Sequence, residues 1–200
     1  MINIDIIPAF PHLLMKFNLP DYSFKEDLIN YVYEQREINR TGVSKSNNGG
    51  WQSDTINNLP IQFQEKLFPV VGTCLDDYLK DGLTCSIGNL WLNINPPGSC
   101  NDRHTHPGAD LSAVFWVKTL KESGMIEFEN PSHFVAFKLI NSSNSDHKDP
   151  YNVSNSMWVE PDEGCVMVFP SYMLHRVMPN ETEEDRISIS WNMTIVNKDK

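Results

Sequence analysis

Three histidines of this chain have the spacing of ligands for a single metal ion. In "NDRHTHPGADLSAVFW", His104 and His106 lie two positions apart, so in an extended chain both imidazoles would project from the same face. His175 comes much later, just after the apolar segment 165–169 and the Pro170-Ser171 break. Neutral imidazole is a common ligand of transition metals. Together the three predict a metal site, although the pair alone would also fit a solvated loop and His175 alone a histidine bonded to backbone.

An arginine begins the last apolar segment, "RISISWNMTIV". With strand alternation, one face is apolar and the other is polar and begins at Arg186. The polar face carries Arg186, Ser188, Ser190, Asn192 and Thr194. An inward-facing polar row in a barrel indicates a ligand cavity, where a guanidinium can donate two hydrogen bonds to a carboxylate. The alternative is a surface salt bridge, for example to Asp185.

The order of these residues is more specific than any one of them. An HxH pair, a later histidine, and an arginine with a serine two positions on resemble the Fe(II)/2-oxoglutarate-dependent oxygenases. More narrowly, the chain resembles a family of oxygenases of this type from marine bacterial and phage genomes. The segments that carry this resemblance are "NLWLNINPPGSCNDRHTHPGADLSAVFWVK", "GMIEFENP" and "VFPSYMLHRVMPNETEEDRISISWN". They contain the motifs N-x-W-x-N-I, HxHP, FPS-x-x-x-H and R-I-S-I-S.

This resemblance implies a role for each residue that matches a motif. His104 and His175 match metal ligands, Arg186 matches the arginine that binds the far carboxylate of 2-oxoglutarate, and Ser188 matches its hydroxyl partner. His106 stands where the wider superfamily has an aspartate or glutamate. The third ligand is therefore His106, Asp110 or Asp102, and we favour His106 because the HxH spacing matches a chelate directly.

The resemblance also implies an activity. The protein is expected to be a non-haem Fe(II)- and 2-oxoglutarate-dependent dioxygenase that uses O2. It would hydroxylate a small molecule or a protein residue and release succinate and CO2. The alternative is a catalytically inactive, cupin-like barrel that binds a metal or another ligand. A third hypothesis, a structural domain with surface histidines, does not explain Arg186.

Other polar residues have weaker interpretations. Trp91, Asn93 and Asn95 share a strand face and could line the substrate side of the site or simply pack at its rim. Glu127 and Glu129 are interpreted as solvated charges on an edge strand. Three further histidines lack partners at ligand spacing and are interpreted as non-ligands: His12, His133 and His147.

The elements that must position these residues are mainly strands. From about residue 84 the hydrophobic period is two, and six segments are predicted as strands: 88–95, 111–118, 124–130, 157–161, 165–171 and 186–196. Without alternating long helices, a parallel sheet is disfavoured. The fold class is therefore mainly β, a jelly roll (double-stranded β-helix) of about eight antiparallel strands with N-terminal helices packed on it. We expect one domain over 1–200, with a helical and loop part at 1–83 and the jelly-roll core at 84–197.

Two helices are predicted in the first third of the chain. The first begins at a capping box formed by Ser23 and Glu26, and the second lies within 59–81, where Pro69 should kink or split it. Residues 141–156 are predicted to form a long polar loop.

The net charge of the chain indicates which classes of molecule it can bind. The net charge of −10 argues against binding to nucleic acid or an anionic membrane surface, so a small-molecule or peptide substrate is expected. The start of the chain lacks the pattern of a secretory signal, which predicts a cytoplasmic protein with free thiols. The sequence leaves the oligomeric state open, with a homodimer as one option.

Overall fold

The computed structural model describes residues 12–198, apart from the side chain of His147. Its elements, in chain order, are β1 Met15–Asn18, α1 Lys25–Ile38, β2 Asn47–Asn48, β3 Trp51–Gln52, α2 Ile61–Tyr78, β4 Leu83–Asn95, β5 Cys100–His104, β6 Leu111–Lys118, β7 Ile126–Glu129, α3 His133–Ser142, α4 Ser145–Lys148, a 3-10 helix Asp149–Tyr151, β8 Ser156–Val159, β9 Cys165–Pro170, β10 His175–Val177 and β11 Arg186–Asn197.

The strands form two antiparallel sheets. The larger sheet has the order β1-β9-β6-β11-β4-β3, and the smaller has the order β2-β5-β10-β7-β8. Strands β4 to β11 provide four strands to each sheet, as expected of a jelly roll. The predicted fold class, a mainly antiparallel double-stranded β-helix with N-terminal helices, is therefore confirmed.

The long strand β11 divides the molecule into an apolar and a polar side. Ile187, Ile189 and Trp191 are fully buried in the main hydrophobic core, together with Leu28 of α1 and Leu67 of α2. Since alternate side chains of a strand point to opposite faces, Arg186 and Ser188 project between the two sheets instead. The helices thus cover one face of the larger sheet and leave its other face for the site.

The N-terminal third differs from its prediction in three respects. It contributes three short strands as well as helices, and β1 pairs with β9. The predicted capping box is wrong: α1 follows Phe24, no side chain caps it, and the Ser23 N–H donates to Asp21 Oδ1. Helix α2 is not split, because it runs through Pro69 to Tyr78.

The segment between β7 and β8 is also more ordered than predicted. Part of the expected loop at 141–156 is helical, since it includes the end of α3, all of α4 and the 3-10 helix. Helix α3 was missed because its apolar residues lie on both faces and give no helical period. The Asn144 side chain caps α4 by accepting a hydrogen bond from the Asp146 N–H.

Within the described range, 12–198, no helix combines the length and the apolar character that crossing a bilayer requires.

Candidate metal centre

Two strands and a loop bring the three histidines together. His104 is the last residue of β5 and His175 the first of β10, and the two are direct partners across the antiparallel pair. His106 lies in the loop just after β5, so the pair does not share one continuous strand as the sequence interpretation assumed. One ring nitrogen from each histidine lies within 4.8 Å of the others. This arrangement could hold a metal ion.

Backbone carbonyls orient two of the imidazoles. His175 Nδ1 lies 2.9 Å from the Met173 carbonyl oxygen, and His104 Nδ1 lies 2.7 Å from that of Asp102. A carbonyl can only accept, so each Nδ1 carries the proton and each Nε2 keeps its lone pair for a metal. His106 Nε2 and His175 Nε2 are 3.4 Å apart.

Burial keeps the three rings uncharged. Burial lowers the pKa of His104. It also lowers the pKa of His106 to about 4 and that of His175 to about 3. The neighbouring His104 ring further lowers the pKa of the other two. Neutral imidazole is the form that binds metal ions, so the site is ready for a cation at neutral pH.

The loop that carries His106 is fixed to the β9–β10 connection. The His106 N–H donates to the Ser171 carbonyl, and the Ser171 N–H donates to the Asp110 carbonyl. The buried Ser171 hydroxyl meets that of Ser112, which also donates to Asn192 Oδ1. These bonds hold the HxHP loop against the segment that leads into His175.

The two aspartates considered as ligands lie outside the cluster. Asp110 is exposed, and its Oδ2 accepts a hydrogen bond from the Ile195 N–H of β11. Asp102 is also exposed, and its carbonyl, rather than its carboxylate, faces His104. Among residues 12–198, the cluster of potential metal ligands consists of the three histidines.

Arg186 is buried beside the histidines, and one of its guanidinium nitrogens, Nη2, is unpaired in the described part of the chain. It is 2% exposed and lines a small cavity that His104 and His175 also line. Its Nη1 donates to the carbonyls of Ser123, Gly124 and Met178. Its Nη2 is buried and has no hydrogen-bond partner among residues 12–198. Burial lowers the pKa of Arg186 to about 10, so the side chain stays a cation. The surface salt bridge considered from sequence is not formed.

Polar side chains line the rest of this cavity. Asn93 Nδ2 lies 3.4 Å from Ser188 Oγ and 3.3 Å from Ser190 Oγ, while Asn93 Oδ1 is buried without a partner. Asn95 Nδ2 donates to Asn101 Oδ1 at 3.3 Å. The structure therefore places Asn93 and Asn95 in the same cavity as Arg186. Trp91 lines it too, with its ring centroid 5.5 Å from that of His106.

Some residues of the cavity could not be found from sequence. Asn101 and His104 both line it, although alternation would place residues three apart on opposite faces. An irregularity in the β5–β10 pairing, where His175 faces His104 but Val177 faces Asn101, accounts for this. Two of the carbonyls that hold Arg186, those of Ser123 and Gly124, belong to the turn "ESG", and no sequence pattern marks the third, that of Met178.

The other histidines and the glutamate that the sequence analysis did not assign to the site have the following surroundings. His12 is bonded to the Tyr172 hydroxyl, and His133 to the Asn130 carbonyl. Nothing is described of the His147 side chain. The interpretation of Glu127 as a solvated edge charge is wrong: β7 lies between β10 and β8, and Glu127 is 5% exposed and paired with Arg176 at 2.5 Å.

Comparison with protein families shows which family this chain belongs to. Residues 89–192, just over half of the chain, match the family model described as "Putative 2OG-Fe(II) oxygenase". The chain belongs to this family of 2-oxoglutarate-Fe(II) oxygenases. Comparison with curated protein sequences found no match.

Solved structures of other oxygenases share the fold. A Pseudomonas putida prolyl-4-hydroxylase has a TM-score of 0.62 at 16% identity, covering 92% of this chain and 93% of its own. The 2-oxoglutarate complex of a viral collagen prolyl hydroxylase from Paramecium Bursaria Chlorella virus-1 has a TM-score of 0.58 at 15% identity, covering 90% and 96%. The α-ketoglutarate-dependent carbocyclase SnoK from nogalamycin biosynthesis has a TM-score of 0.62 at 10% identity, covering 91% and 79%.

The residues present fit the cofactors of this oxygenase family. Three uncharged imidazoles are suitable ligands for Fe(II), and the unpaired Nη2 of Arg186 is a donor that awaits an acceptor such as a carboxylate. As a member of the family, the protein is an oxidoreductase that uses Fe(II), 2-oxoglutarate and O2.

Proposed function

We propose that this oxygenase is a hydroxylase of a small molecule or of a residue in a peptide, and that it releases succinate and CO2. His104, His106 and His175 would hold Fe(II), and Arg186 and Ser188 would bind the far carboxylate of 2-oxoglutarate. One observation carries this assignment: Arg186, which has a buried guanidinium nitrogen without a hydrogen-bond partner in the described part of the chain, lines the same cavity as His104 and His175.

When bound, Fe(II) would supply a centre at which the reduction of O2, the oxidant, is coupled both to oxidative decarboxylation of 2-oxoglutarate and to oxidation of the substrate. The chain supplies binding and orientation. The Asp102 and Met173 carbonyls fix the rings of His104 and His175 so that their Nε2 atoms face the metal position.

Arg186 binds its carboxylate from a fixed position. Three backbone carbonyls hold Nη1, which leaves Nη2 to donate to the co-substrate. The Ser188 hydroxyl can accept from the Asn93 amide and still donate its own proton to the same carboxylate. Because the guanidinium is almost completely buried, a carboxylate there forms a charge-assisted hydrogen bond with little competition from water.

The proposed substrate class is supported by the solved structures that share this fold. Solved structures with this fold include prolyl hydroxylases and a carbocyclase of nogalamycin biosynthesis, so peptides and small molecules are both precedented. Trp91 would line the substrate side, because its ring lies beside His106. Asn93 and Asn95 are better placed to serve the co-substrate, since they contact Ser188 and the cavity residue Asn101.

The test is 2-oxoglutarate turnover in the presence of Fe(II) and O2, measured as succinate formed. Arg186→Leu should raise the KM for 2-oxoglutarate by about 30-fold or more, because losing one partner of a buried charged hydrogen bond costs about 2 to 5 kcal/mol. Arg186→Lys keeps the charge but not the fork, and it should fall between wild type and Arg186→Leu.

Metal binding by the wild type without any succinate would contradict the proposal. It would instead favour the alternative of an inactive, cupin-like binding barrel. An unchanged KM in folded Arg186→Leu would remove Arg186 from the co-substrate site.

A further inference from the structure

A second, larger cavity lies beneath the segment that connects β7 to β8. Its volume is about 580 Å³, within the range of roughly 300 to 1,000 Å³ typical of small-molecule sites. Helix α3 forms one wall with three residues at helical spacing, Ala136, Leu139 and Ile140, and Ser143 just after the helix continues this wall. The opposite wall comes from β7, β8 and the chain just before β1.

The lining of this cavity is mostly apolar and offers no free charge for an ionic ligand. Leu14, Phe128, Ile140, Met157 and Met173 supply much of its surface. Among the described residues that line it there is no lysine or arginine.

Two ionisable side chains of the lining, Glu129 and His12, already have partners within the protein. The Glu129 carboxylate is paired with Arg103 at 2.6 Å, and His12 is hydrogen-bonded to the Tyr172 hydroxyl. An anion would meet no lysine or arginine among the described lining residues, and a cation would compete with Arg103 for Glu129. The cavity therefore favours an uncharged ligand.

An aromatic wall separates this cavity from the metal centre. Phe128 lines the large cavity, and its ring lies 4.9 Å from that of Phe169, which lines the cavity of Arg186. Both rings also contact His175, at 5.7 and 4.8 Å between centroids. Met173, whose carbonyl orients His175, lines the large cavity as well. A molecule bound there would contact the residues that support the metal-binding histidine.

We propose that this cavity is a binding site for an uncharged, apolar small molecule, or for the apolar part of a larger one. Such a ligand would bury hydrocarbon surface against Phe128, Ile140 and Met173. Burial of apolar surface stabilises binding by about 25 cal/mol for each Å² removed from water. That this ligand belongs to the substrate rests on the proposed function, whereas the site itself does not.

The test is a fluorescence titration of the full-length chain with the neutral dye N-phenylnaphthylamine. We expect saturable binding of one dye per chain, and weaker binding of its anionic sulfonate analogue. Ala136→Trp and Ser143→Phe each place a large side chain in the cavity, the first from within α3 and the second from the residue that follows it. Either should weaken dye binding by about tenfold or more, equivalent to 1.4 kcal/mol.

Phe134→Ser is the matched control, because Phe134 lies on α3 but is 88% exposed and does not line the cavity. It should bind the dye like the wild type. The proposal is overturned if the wild type shows no saturable binding or prefers the anionic analogue. It is also overturned if both filled variants, shown to be folded by circular dichroism, bind the dye as tightly as the wild type does. The titration needs neither iron nor 2-oxoglutarate, so failure of the proposed function leaves it interpretable.

Discussion

Three neutral imidazoles form the candidate metal site, and none of them supplies the negative charge that a carboxylate ligand would. If His106 is the third ligand, His106→Ala should weaken Fe(II) binding on the order of 100-fold. Loss of a residue that only hydrogen-bonds a metal ligand already weakens metal binding by about 10- to 100-fold, and loss of the ligand itself should cost at least as much. Asp110→Ala should leave Fe(II) affinity unchanged, because the Asp110 carboxylate bonds to the Ile195 N–H instead. Anaerobic competition with a chromogenic chelator measures both affinities.

Urea unfolding provides the control for these two variants. Asp110→Ala removes one exposed hydrogen bond and should lower the free energy of unfolding by only about 1 kcal/mol. If Asp110→Ala abolishes iron binding while His106→Ala retains it, the all-histidine site is wrong and Asp110 is the ligand.

Residue type and order were enough to predict that these residues belong to one site, but not which groups orient them. Histidine and arginine are conspicuous in sequence, and His104, His175 and Arg186 do line one cavity. The groups that orient them are backbone carbonyls of Asp102, Met173 and the residues around Gly124. Every residue has a carbonyl, so only the fold reveals which ones matter.

At the scale of elements, the turn between β6 and β7 positions the arginine of β11. Gly124 has a φ of +100°, and a Cβ there would lie 2.5 Å from Arg186 Nη1 and would also meet the Met178 carbonyl. Gly124→Ala should therefore displace Arg186 and raise the KM for 2-oxoglutarate by about tenfold, equal to 1.4 kcal/mol of lost binding. Steady-state kinetics with 2-oxoglutarate as the varied substrate measures this.

Gly82→Ala is a matched control for that turn. Gly82 also has a positive φ, +79°, but open space surrounds the position of its Cβ. Both variants should lose stability through backbone strain of about 1 kcal/mol or more, while Gly82→Ala should keep the wild-type KM. Equal KM values in wild type, Gly124→Ala and Gly82→Ala would show that the turn does not hold Arg186.

Strong periodicity made some elements predictable and left others undetected. The alternation of β4 and β11 was clear because polar and apolar residues alternate along them, whereas β6 is buried on both faces and appears in the sequence as a continuous apolar run. Strand β10 has three residues, too few for a periodic signal. Helix α3 exposes Phe134, Val135 and Phe137, so its composition does not indicate which face is buried.

For the molecule as a whole, the class of fold followed from sequence but the strand pairing did not. The β10 strand lies between β5 and β7, so His175 faces His104 on one side and Phe128 on the other. These three strands are far apart in sequence, so no local pattern shows that they become neighbours in one sheet. The order of motifs along the chain was informative because the jelly roll brings β5, β10 and β11 around one cavity.

The measurement that tests the central claim most directly is an anaerobic titration with Fe(II) and 2-oxoglutarate, followed by visible absorption. A metal-to-ligand charge-transfer band forms only when both bind at one centre. We expect the band in the wild type and its loss in His175→Ala, with circular dichroism showing that the variant is folded. Absence of the band in the wild type, or an undiminished band in His175→Ala, would contradict the assignment of this cavity as the oxygenase site.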